Sequence, residues 1–206
     1  MTKFFAPAYW PVFTDPTKKR VFNYTAPAGP PFSSEVYFDA ARMSMIEKDY
    51  NDGVYMNTWY MQERPGFGYA EWRDDYPNGK VITFTTPIGW GEWEEIGGVY
   101  VNYPHVDIFR TWPPTLKLNG TQALVFEARH DTFTLRDGTV YRDVLQQLYQ
   151  QFWGTKQSGA RMWMAKGVGP IAIQWVAKDE TTGKLVMSDR YDATVSEITT
   201  STKWAQ

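Results

Sequence analysis

The chain has 206 residues, no cysteine, a formal net charge of -2 and ten tryptophans. The lack of cysteine excludes disulfide bonds and thiolate zinc sites. A charge this close to zero, with one short basic cluster at residues 18–20, argues against a nucleic-acid partner. The longest uncharged stretch, residues 21–34, has 14 residues and three prolines, so no segment predicts a membrane-spanning helix.

The N-terminal region is rich in proline, because six of the 13 prolines fall within the first 31 residues. Proline lacks the N–H group that an interior strand donates. Residues 1–35 are therefore predicted to form an extended arm over the rest of the chain, with short strand pieces such as residues 21–24. Pro7 and Pro11 interrupt the apolar residues at the start, which does not read as a signal peptide. The aromatic anchors of the arm would be Phe4, Phe5, Tyr9, Trp10 and Phe13.

Residues 36–206 are predicted to form a single antiparallel β domain. Apolar and aromatic runs alternate with Asp-Gly and Asn-Gly steps at 52–53, 78–79, 119–120 and 137–138, which is the strongest short-range hairpin signal. The fold class is mainly β, and an antiparallel barrel, a half-barrel and a two-layer sandwich, including a lipocalin-like cup, remain open. The predicted strands cover residues 36–45, 54–63, 67–74, 80–86, 89–96, 99–103, 106–112, 122–128, 132–135, 162–165, 171–177 and 184–188, and residues 193–204 read as a final strand or a tail.

Residues 144–153 fit two structures. Leu145, Leu148, Tyr149 and Phe152 have helical spacing, and the leucine and glutamine content favours a helix. The Asp-Gly turn shortly before and the aromatic residues at the end favour a strand. The pattern leans toward a helix and leaves both structures open.

The predicted strand 54–63 carries large aromatic residues on both faces. In a strand, residues two apart share a face, so Tyr55, Asn57, Trp59 and Met61 lie on one side. A sheet with one solvated face alternates more cleanly. Either both faces are covered or one face lines a cavity of mixed polarity, as in ligand pockets.

Residues 88–98 hold the densest group of aromatic and acidic residues. If this segment is extended, Trp90, Glu92 and Glu94 point to one side, and Trp93 points to the other. A Trp beside a carboxylate suits a sugar, whose apolar face stacks on the ring. Solvated acidic residues on a strand are the simpler interpretation. The predicted ligand-binding residues are Tyr55, Trp59, Trp90, Trp93, Tyr100, Tyr103 and Trp112.

Acid–base chemistry is the second hypothesis. His105 and Asp107 share a face of a predicted strand, an arrangement suited to a general base. Glu92 and Glu94 would lie about 7 Å apart and point the same way, so they would not flank a glycosidic bond. The predicted catalytic residues are His105, Asp107, Glu92 and Glu94. No metal-ligand spacing and no Gly-x-Ser-x-Gly elbow occurs, so we expect no metal or cofactor.

One part of the chain resembles a known group of proteins. Residues 137–141 read Asp-Gly-Thr-Val-Tyr, and residues 162–171 read Met-Trp-Met-Ala-Lys-Gly-Val-Gly-Pro-Ile. This stretch is similar to the C-terminal part of bacterial exported or lipoprotein β-domains, in which an aromatic strand ends in Ala-x-Gly-Val-Gly before the last hairpin. The resemblance implies a curved antiparallel sheet with an apolar hollow and an exported or periplasmic protein, and no chemistry. Independently, Gly167 and Gly169 around Val168 predict a sharp bend or bulge.

The first functional hypothesis is a binding protein whose aromatic concave surface takes a carbohydrate or a small apolar molecule. The alternatives are the acid–base enzyme described above, of hydrolase or isomerase or lyase type, and a structural protein whose exposed aromatic residues bury against another chain. The expected partner is a small molecule or a glycan. A homo-oligomer fits the third hypothesis.

Overall fold

A computed structural model describes residues 3–5, 9, 15–64, 68–89, 92–96, 99–101, 109–112, 120–153 and 156–200. Within these ranges the regular secondary structure is antiparallel β, which confirms the predicted fold class. The strands are β1 (Lys3–Phe5), β2 (Lys18–Thr25), β3 (Phe32–Asp39), β4 (Ser44–Asn51), β5 (Val54–Arg64), β6 (Gly68–Asp75), β7 (Val81–Gly89), β8 (Glu92–Ile96), β9 (Val99–Val101), β10 (Phe109–Trp112), β11 (Gly120–Thr134), β12 (Val140–Trp153), β13 (Lys156–Ala165), β14 (Gly169–Lys178) and β15 (Leu185–Thr199).

Twelve strands form one sheet in the order β10-β7-β6-β5-β4-β3-β2-β15-β14-β13-β12-β11. The chain enters near the middle at β2 and runs outward to β10 at one edge. It resumes at β11 on the other edge and returns to β15, which pairs with β2. No pairing joins β10 to β11 in the residues described above, so the sheet is not closed into a barrel. Strands β1, β8 and β9 form a second, three-stranded sheet.

The large sheet curls so that its two halves face each other. The rings of Trp59 on β5 and Tyr149 on β12 lie 6.4 Å apart, although their strands belong to opposite halves of the sheet order. One buried cluster combines side chains from both halves, including Met45, Met61 and Met164. We call this curled sheet the cup. Its inner face holds the main core, because apolar side chains from both walls meet there and are removed from contact with water.

The predicted Asp-Gly and Asn-Gly hairpins are confirmed at three positions. The turn between β4 and β5 has positive φ at both Asp52 (50°) and Gly53 (73°), as a two-residue hairpin turn requires. Gly79 between β6 and β7 and Gly138 between β11 and β12 also have positive φ. These turns fix which strands are neighbours, since two strands joined by a tight turn pair with each other.

The prediction of one strand over residues 36–45 is wrong. Strand β3 ends at Asp39 and β4 begins at Ser44. The carboxylate of Asp39 accepts hydrogen bonds from the backbone N–H groups of Ala41 (2.9 Å) and Arg42 (3.2 Å). A side chain that captures the following backbone N–H groups replaces the pairing of a strand by a turn.

Residues 144–153 belong to β12, so the helical spacing did not decide their structure. The segment pairs with β11 on one side and β13 on the other. Leu145, Gln147 and Tyr149 are buried, and the residues between them are half-buried, which is a period of two. Pairing on both edges and burial on the inner face outweigh a weak local preference for a helix.

Part of the region predicted as an N-terminal arm lies inside the sheet. Strand β2 pairs with both β3 and β15, and β3 crosses the predicted boundary at residue 35. The four prolines between residues 16 and 31 lie before β2 or between β2 and β3, where no strand N–H is required. Tyr9 is buried in the core cluster, and its hydroxyl donates a hydrogen bond of 2.7 Å to Asp143.

The bend predicted around Val168 is present. Residues 166–168 form the turn between β13 and β14, with positive φ at Gly167 (71°) and Gly169 (111°). The pairing register of the two strands shifts between Trp163 and Met164, which marks a bulge beside the turn.

Candidate functional site

One end of the cup is filled with side chains, and the other end encloses a cavity of about 520 Å³. The transition from packed core to cavity can be followed along β4 and β5. On β4 the inward side chains run from Met45 in the core to Glu47 and Asp49 at the cavity. On β5 they run from Met61 in the core to Trp59 and then Asn57.

Strand pairing arranges these side chains in ranks across the sheet. Residues directly opposite each other in an antiparallel pair share a face, so register determines which side chains are neighbours. The core rank is Phe38, Met45 and Met61, the next is Val36, Glu47, Trp59 and Asp74, and the outermost is Ser34, Asp49 and Asn57.

Three acidic residues therefore line the cavity. Glu47, Asp49 and Asp74 are each no more than 8% exposed. The hydroxyl of Ser34 donates a hydrogen bond of 2.6 Å to Asp49. Buried acids are uncommon in proteins unless they are paired. Their burial costs free energy, so they either have partners that offset this cost or are retained for function.

Burial changes the ionisation of the two acids on β4. Loss of hydration raises the pKa of Glu47 to about 8, and the charge of Asp49 adds to this rise. Loss of hydration also raises the pKa of Asp49, to about 7, against the opposing effect of the Ser34 hydrogen bond. The two carboxyls titrate as a pair, so the cavity holds a proton near neutral pH.

The carboxyl of Glu47 is incompletely bonded. Its Oε2 atom is buried and has no hydrogen-bond partner among the described residues. An unsatisfied buried acceptor costs free energy, of the order of 1–3 kcal/mol. A ligand donor reaching Oε2 would recover this cost.

Aromatic rings form much of the remaining lining. Trp59 and Tyr149 approach each other across the cup, and the ring of Phe32 meets Trp175 edge-on at 5.6 Å. Trp175 also lines the cavity and is 42% exposed, so part of this ring is in contact with solvent. The rest of the lining includes Pro30, Met56, Tyr76, Ala160, Met162, Ile173 and Tyr191.

The charge of the cavity is one-sided. No lysine, arginine or histidine is among the described residues that line it. Lys80, Lys156 and Lys178 line a separate pocket of about 390 Å³, which shares Ser158 with the cavity. The cavity therefore favours a neutral or positively charged ligand over an anion.

Of the predicted ligand-binding residues with described side chains, Trp59 lies in the cavity wall and Tyr55 does not. The hydroxyl of Tyr55 hydrogen-bonds to Thr58 Oγ1 (2.7 Å) and to the Asp75 carbonyl oxygen, and its ring contacts Tyr50. The register shift between Asp49 and Tyr50 separates Tyr55 from the rank of Asn57.

The other predicted site residues are described in part or not at all. The backbones of Glu92, Trp93 and Glu94 lie on β8, paired with β1, whereas their side chains lie outside the described part. The same holds for Tyr100 on β9 and Trp112 on β10. The predictions for Trp90, Tyr103, His105 and Asp107 fall outside the described residues.

Sequence reasoning missed Glu47, Asp49 and Asp74. Residues 46–51, which include charges of alternating sign, fall between the predicted strands 36–45 and 54–63. The signal that could have found them is the Asp52-Gly53 turn. A two-residue hairpin turn requires a strand before it as well as after it, and that strand places Glu47 and Asp49 on one face.

Comparisons with protein-family models, with curated proteins and with solved structures found no match for this chain. In the part of the chain that the structure describes, no group of three or more histidine or acidic residues has the geometry to hold a metal ion. That part also contains no helix long and apolar enough to cross a membrane. The case for a function therefore depends on the geometry of the cup.

Proposed function

We propose that this protein binds a small molecule with a largely apolar body inside the cup. The observation that supports the proposal is the cavity of about 520 Å³ with aromatic rings on facing walls and a few buried polar groups. Sites for small ligands commonly measure about 300–1,000 Å³ and combine apolar walls with a few polar groups that orient the ligand. The rings suit either an apolar body or the apolar face of a sugar.

The glycine at position 159 supports a wall shaped around this space. A Cβ atom at Gly159 would lie 1.9 Å from the carbonyl oxygen of Tyr149, so only glycine allows β12 and β13 to approach this closely. Both Gly159 and Tyr149 line the cavity. The two strands of this wall thus pack closely along one side of the cavity.

The test is a screen of sugars and small apolar compounds by thermal shift, followed by calorimetry on compounds that raise the melting temperature. A ligand that binds only the folded state stabilises it. We expect Ala160→Leu, which extends a buried side chain into the cavity, to weaken binding about tenfold or more. Trp175→Ala should weaken binding with little loss of stability, because Trp175 is partly exposed.

The matched control is Ala177→Leu on β14, whose side chain is exposed and lines the separate lysine-lined pocket instead of the cavity. It should leave affinity unchanged. Equal affinities for Ala160→Leu, Trp175→Ala and the control would place the ligand outside the cup and contradict the proposal. A screen without any bound compound, extended to sugars, alcohols and amines, would also count against it.

Acid–base catalysis is a second candidate, supported by the raised pKa values of Glu47 and Asp49. A carboxyl that changes protonation near neutral pH is suited to act as a general acid or base. The catalytic role predicted for His105, Asp107, Glu92 and Glu94 stays a separate prediction. Turnover of any bound compound, lost in Glu47→Gln while binding persists, would support catalysis in the cup. Binding without turnover would leave the protein a binding protein.

A further inference from the structure

We propose that the ligand of the cup carries a protonated amine, which is bound by the carboxyl of Glu47 with Asp49 beside it. The inference depends on the proposed binding function and specifies the chemical class of ligand: a small organic ammonium ion with an apolar or aromatic body. Four observations support it.

The first observation is charge. The described lining contains Glu47, Asp49 and Asp74 and no basic side chain. The separate lysine-lined pocket supplies no side chain to the cavity apart from the shared Ser158. A cation entering the cavity therefore meets acidic groups and no opposing positive charge in the described lining, inside walls that shield the interaction from water.

The second observation is the unsatisfied Oε2 atom of Glu47. An ammonium group donates hydrogen bonds and accepts none, so it matches an acceptor that has no partner. The bond would be charge-assisted on both sides, which makes it stronger than a bond from a neutral hydroxyl.

The third observation is the position of Trp59. It is the direct cross-strand neighbour of Glu47 on β5, and Asp74 is its neighbour on β6. Tyr149 faces it from the opposite wall. Aromatic rings attract cations through their π-electron faces, most strongly where water is excluded. A carboxyl flanked by aromatic rings binds an ammonium head and the apolar body next to it.

The fourth observation distinguishes an organic cation from a metal ion. The three carboxyls do not form a group that could hold a metal ion. They are spread over two ranks, with Asp49 already accepting a hydrogen bond from Ser34. This spacing suits a larger cation that contacts one carboxyl directly and is attracted electrostatically by the other two at longer distance.

The charged groups around Glu47 determine how binding depends on pH. Asp49 lies two residues along β4 and Asp74 lies on β6. Tyr24 lies on β2, where burial raises its pKa and the charges of both β4 acids raise it further. Tyr149 faces them from β12. In the free protein the acid pair holds a proton near neutral pH, and a bound ammonium ion would stabilise the ionised form. Binding at about pH 6.5 should therefore release about one proton.

The experiment compares matched series that differ only in charge: phenethylamine, 2-phenylethanol and 3-phenylpropionate, then tryptamine, tryptophol and indole-3-propionate. Calorimetry at about pH 6.5 in two buffers of different ionisation enthalpy gives affinity and proton release together. We expect each amine to bind about tenfold or more tighter than its alcohol, and each carboxylate to bind most weakly. Glucose is included as a neutral polyol.

Glu47→Gln should remove both the preference for the amine and the proton release, and leave the affinity for the alcohols unchanged. Gln has nearly the same shape, so a merely structural role for Glu47 would not change the proton count. Asp49→Asn is the second variant and should weaken the preference to a smaller extent. The control is Glu35→Gln, which changes an acid on the opposite face of β3 that pairs with Lys19 at 3.2 Å.

Three results would overturn the inference. If the alcohols or glucose bind as tightly as the amines, the ligand is neutral and only the proposed binding function stands. If Glu47→Gln keeps the preference and the proton release, Glu47 does not bind the amine. If no compound in either series or in the wider screen binds, both the inference and the proposed function fail.

Discussion

Glu47 and Asp49 lie two residues apart on the inner face of β4, and both carboxyls face the cavity with little access to water. Burial makes both carboxyls harder to ionise, the charge of Asp49 adds to this effect at Glu47, and the charge of Asp74 adds to it at Asp49. Neither carboxyl has a basic partner in the described lining of the cavity, so no ion pair offsets the cost of burying them. The pair is therefore a cost to folding, which is typical of residues retained for a functional site.

The first prediction follows from this cost. The pKa of Glu47 rises from 4.5 to about 8 on folding, so the folded state holds a proton that the unfolded state has lost in this range. Stability should decline as pH increases from about 4.5 to 8 and then level off. Glu47→Gln should flatten the decline and be more stable than the wild type at pH 8. Urea unfolding at several pH values measures this.

Glu35→Gln is the control for this measurement, because Glu35 is ion-paired and only partly buried on the outer face. It should follow the wild-type curve. Parallel curves for Glu47→Gln and the wild type would mean that Glu47 ionises as easily in the folded protein as in the unfolded chain.

The second prediction concerns the contact between β12 and β13. Gly159→Ala should destabilise the protein by roughly 2 kcal/mol or more, because the new methyl group meets the backbone of Tyr149, which cannot rotate away. Gly79→Ala tests the alternative explanation, the loss of glycine flexibility. Gly79 has positive φ (74°) and open space around it, so this variant should cost about 1 kcal/mol. Equal melting temperatures for the two variants would argue against the close approach.

The third prediction concerns acid stability. Hydrogen bonds, above all from Arg129 and also from Tyr9, lower the pKa of Asp143 to about 2. Since this pKa lies below the ordinary 3.8, Asp143 contributes stability above about pH 4 that is lost as pH falls toward 2. Tyr9→Phe should cost about 1 kcal/mol at neutral pH and move acid unfolding to higher pH.

Asp143→Asn is the complementary variant for the acid experiment. Asp143 has positive φ (53°), a conformation that asparagine also tolerates, so the backbone should be preserved. This variant should be less stable than the wild type at neutral pH and show a smaller loss of stability between pH 4 and 2. Asp131→Asn, at an exposed position on β11, serves as control. An unchanged acid transition in Asp143→Asn would refute the role of this hydrogen-bond cluster.

The fourth prediction compares two ion pairs. Arg161 on β13 binds Glu127 on β11 through two hydrogen bonds, from Nε (2.6 Å) and Nη2 (2.7 Å), and both side chains are mostly buried. Lys156 and Glu180 lie 3.9 Å apart and are more than 70% exposed. Glu127→Gln should cost about 1–3 kcal/mol, and Glu180→Gln less than about 0.5 kcal/mol. Chemical denaturation measures the free energy of unfolding of both variants. Equal losses of stability would contradict the difference in burial and geometry between the two ion pairs.

The turns show how much of the fold could be predicted from residues alone. Asp52-Gly53 forms a two-residue hairpin turn because glycine and aspartate adopt positive φ at low cost, a property of the dipeptide itself. The break at Asp39 was missed, although it is also local. There the decisive contact is a side chain bonding to backbone N–H groups two and three residues ahead, and no glycine marks it.

The candidate site was predicted only through Trp59. The sequence left open whether its face of β5 is covered or lines a cavity of mixed polarity, and in the structure Asn57 and Trp59 line the cavity. The acids that face the same space could not be assigned, because their position depends on pairing between β3, β4, β5 and β6. Simple alternation predicts Tyr55 on the same face. A register shift that the residue pattern does not predict displaces it from the cavity wall.

By itself, the sequence determined the β class, the antiparallel hairpins and the position of most turns, since these depend on the conformational preferences of neighbouring residues. The tertiary structure decided that residues 144–153 are a strand, that β2 lies in the middle of the sheet, and that Glu47 and Asp49 face a cavity. These features depend on partners far away along the chain. Burial, and with it the pKa of a carboxyl, is set by every strand that packs around it, so the curl of the whole sheet is required to create the site.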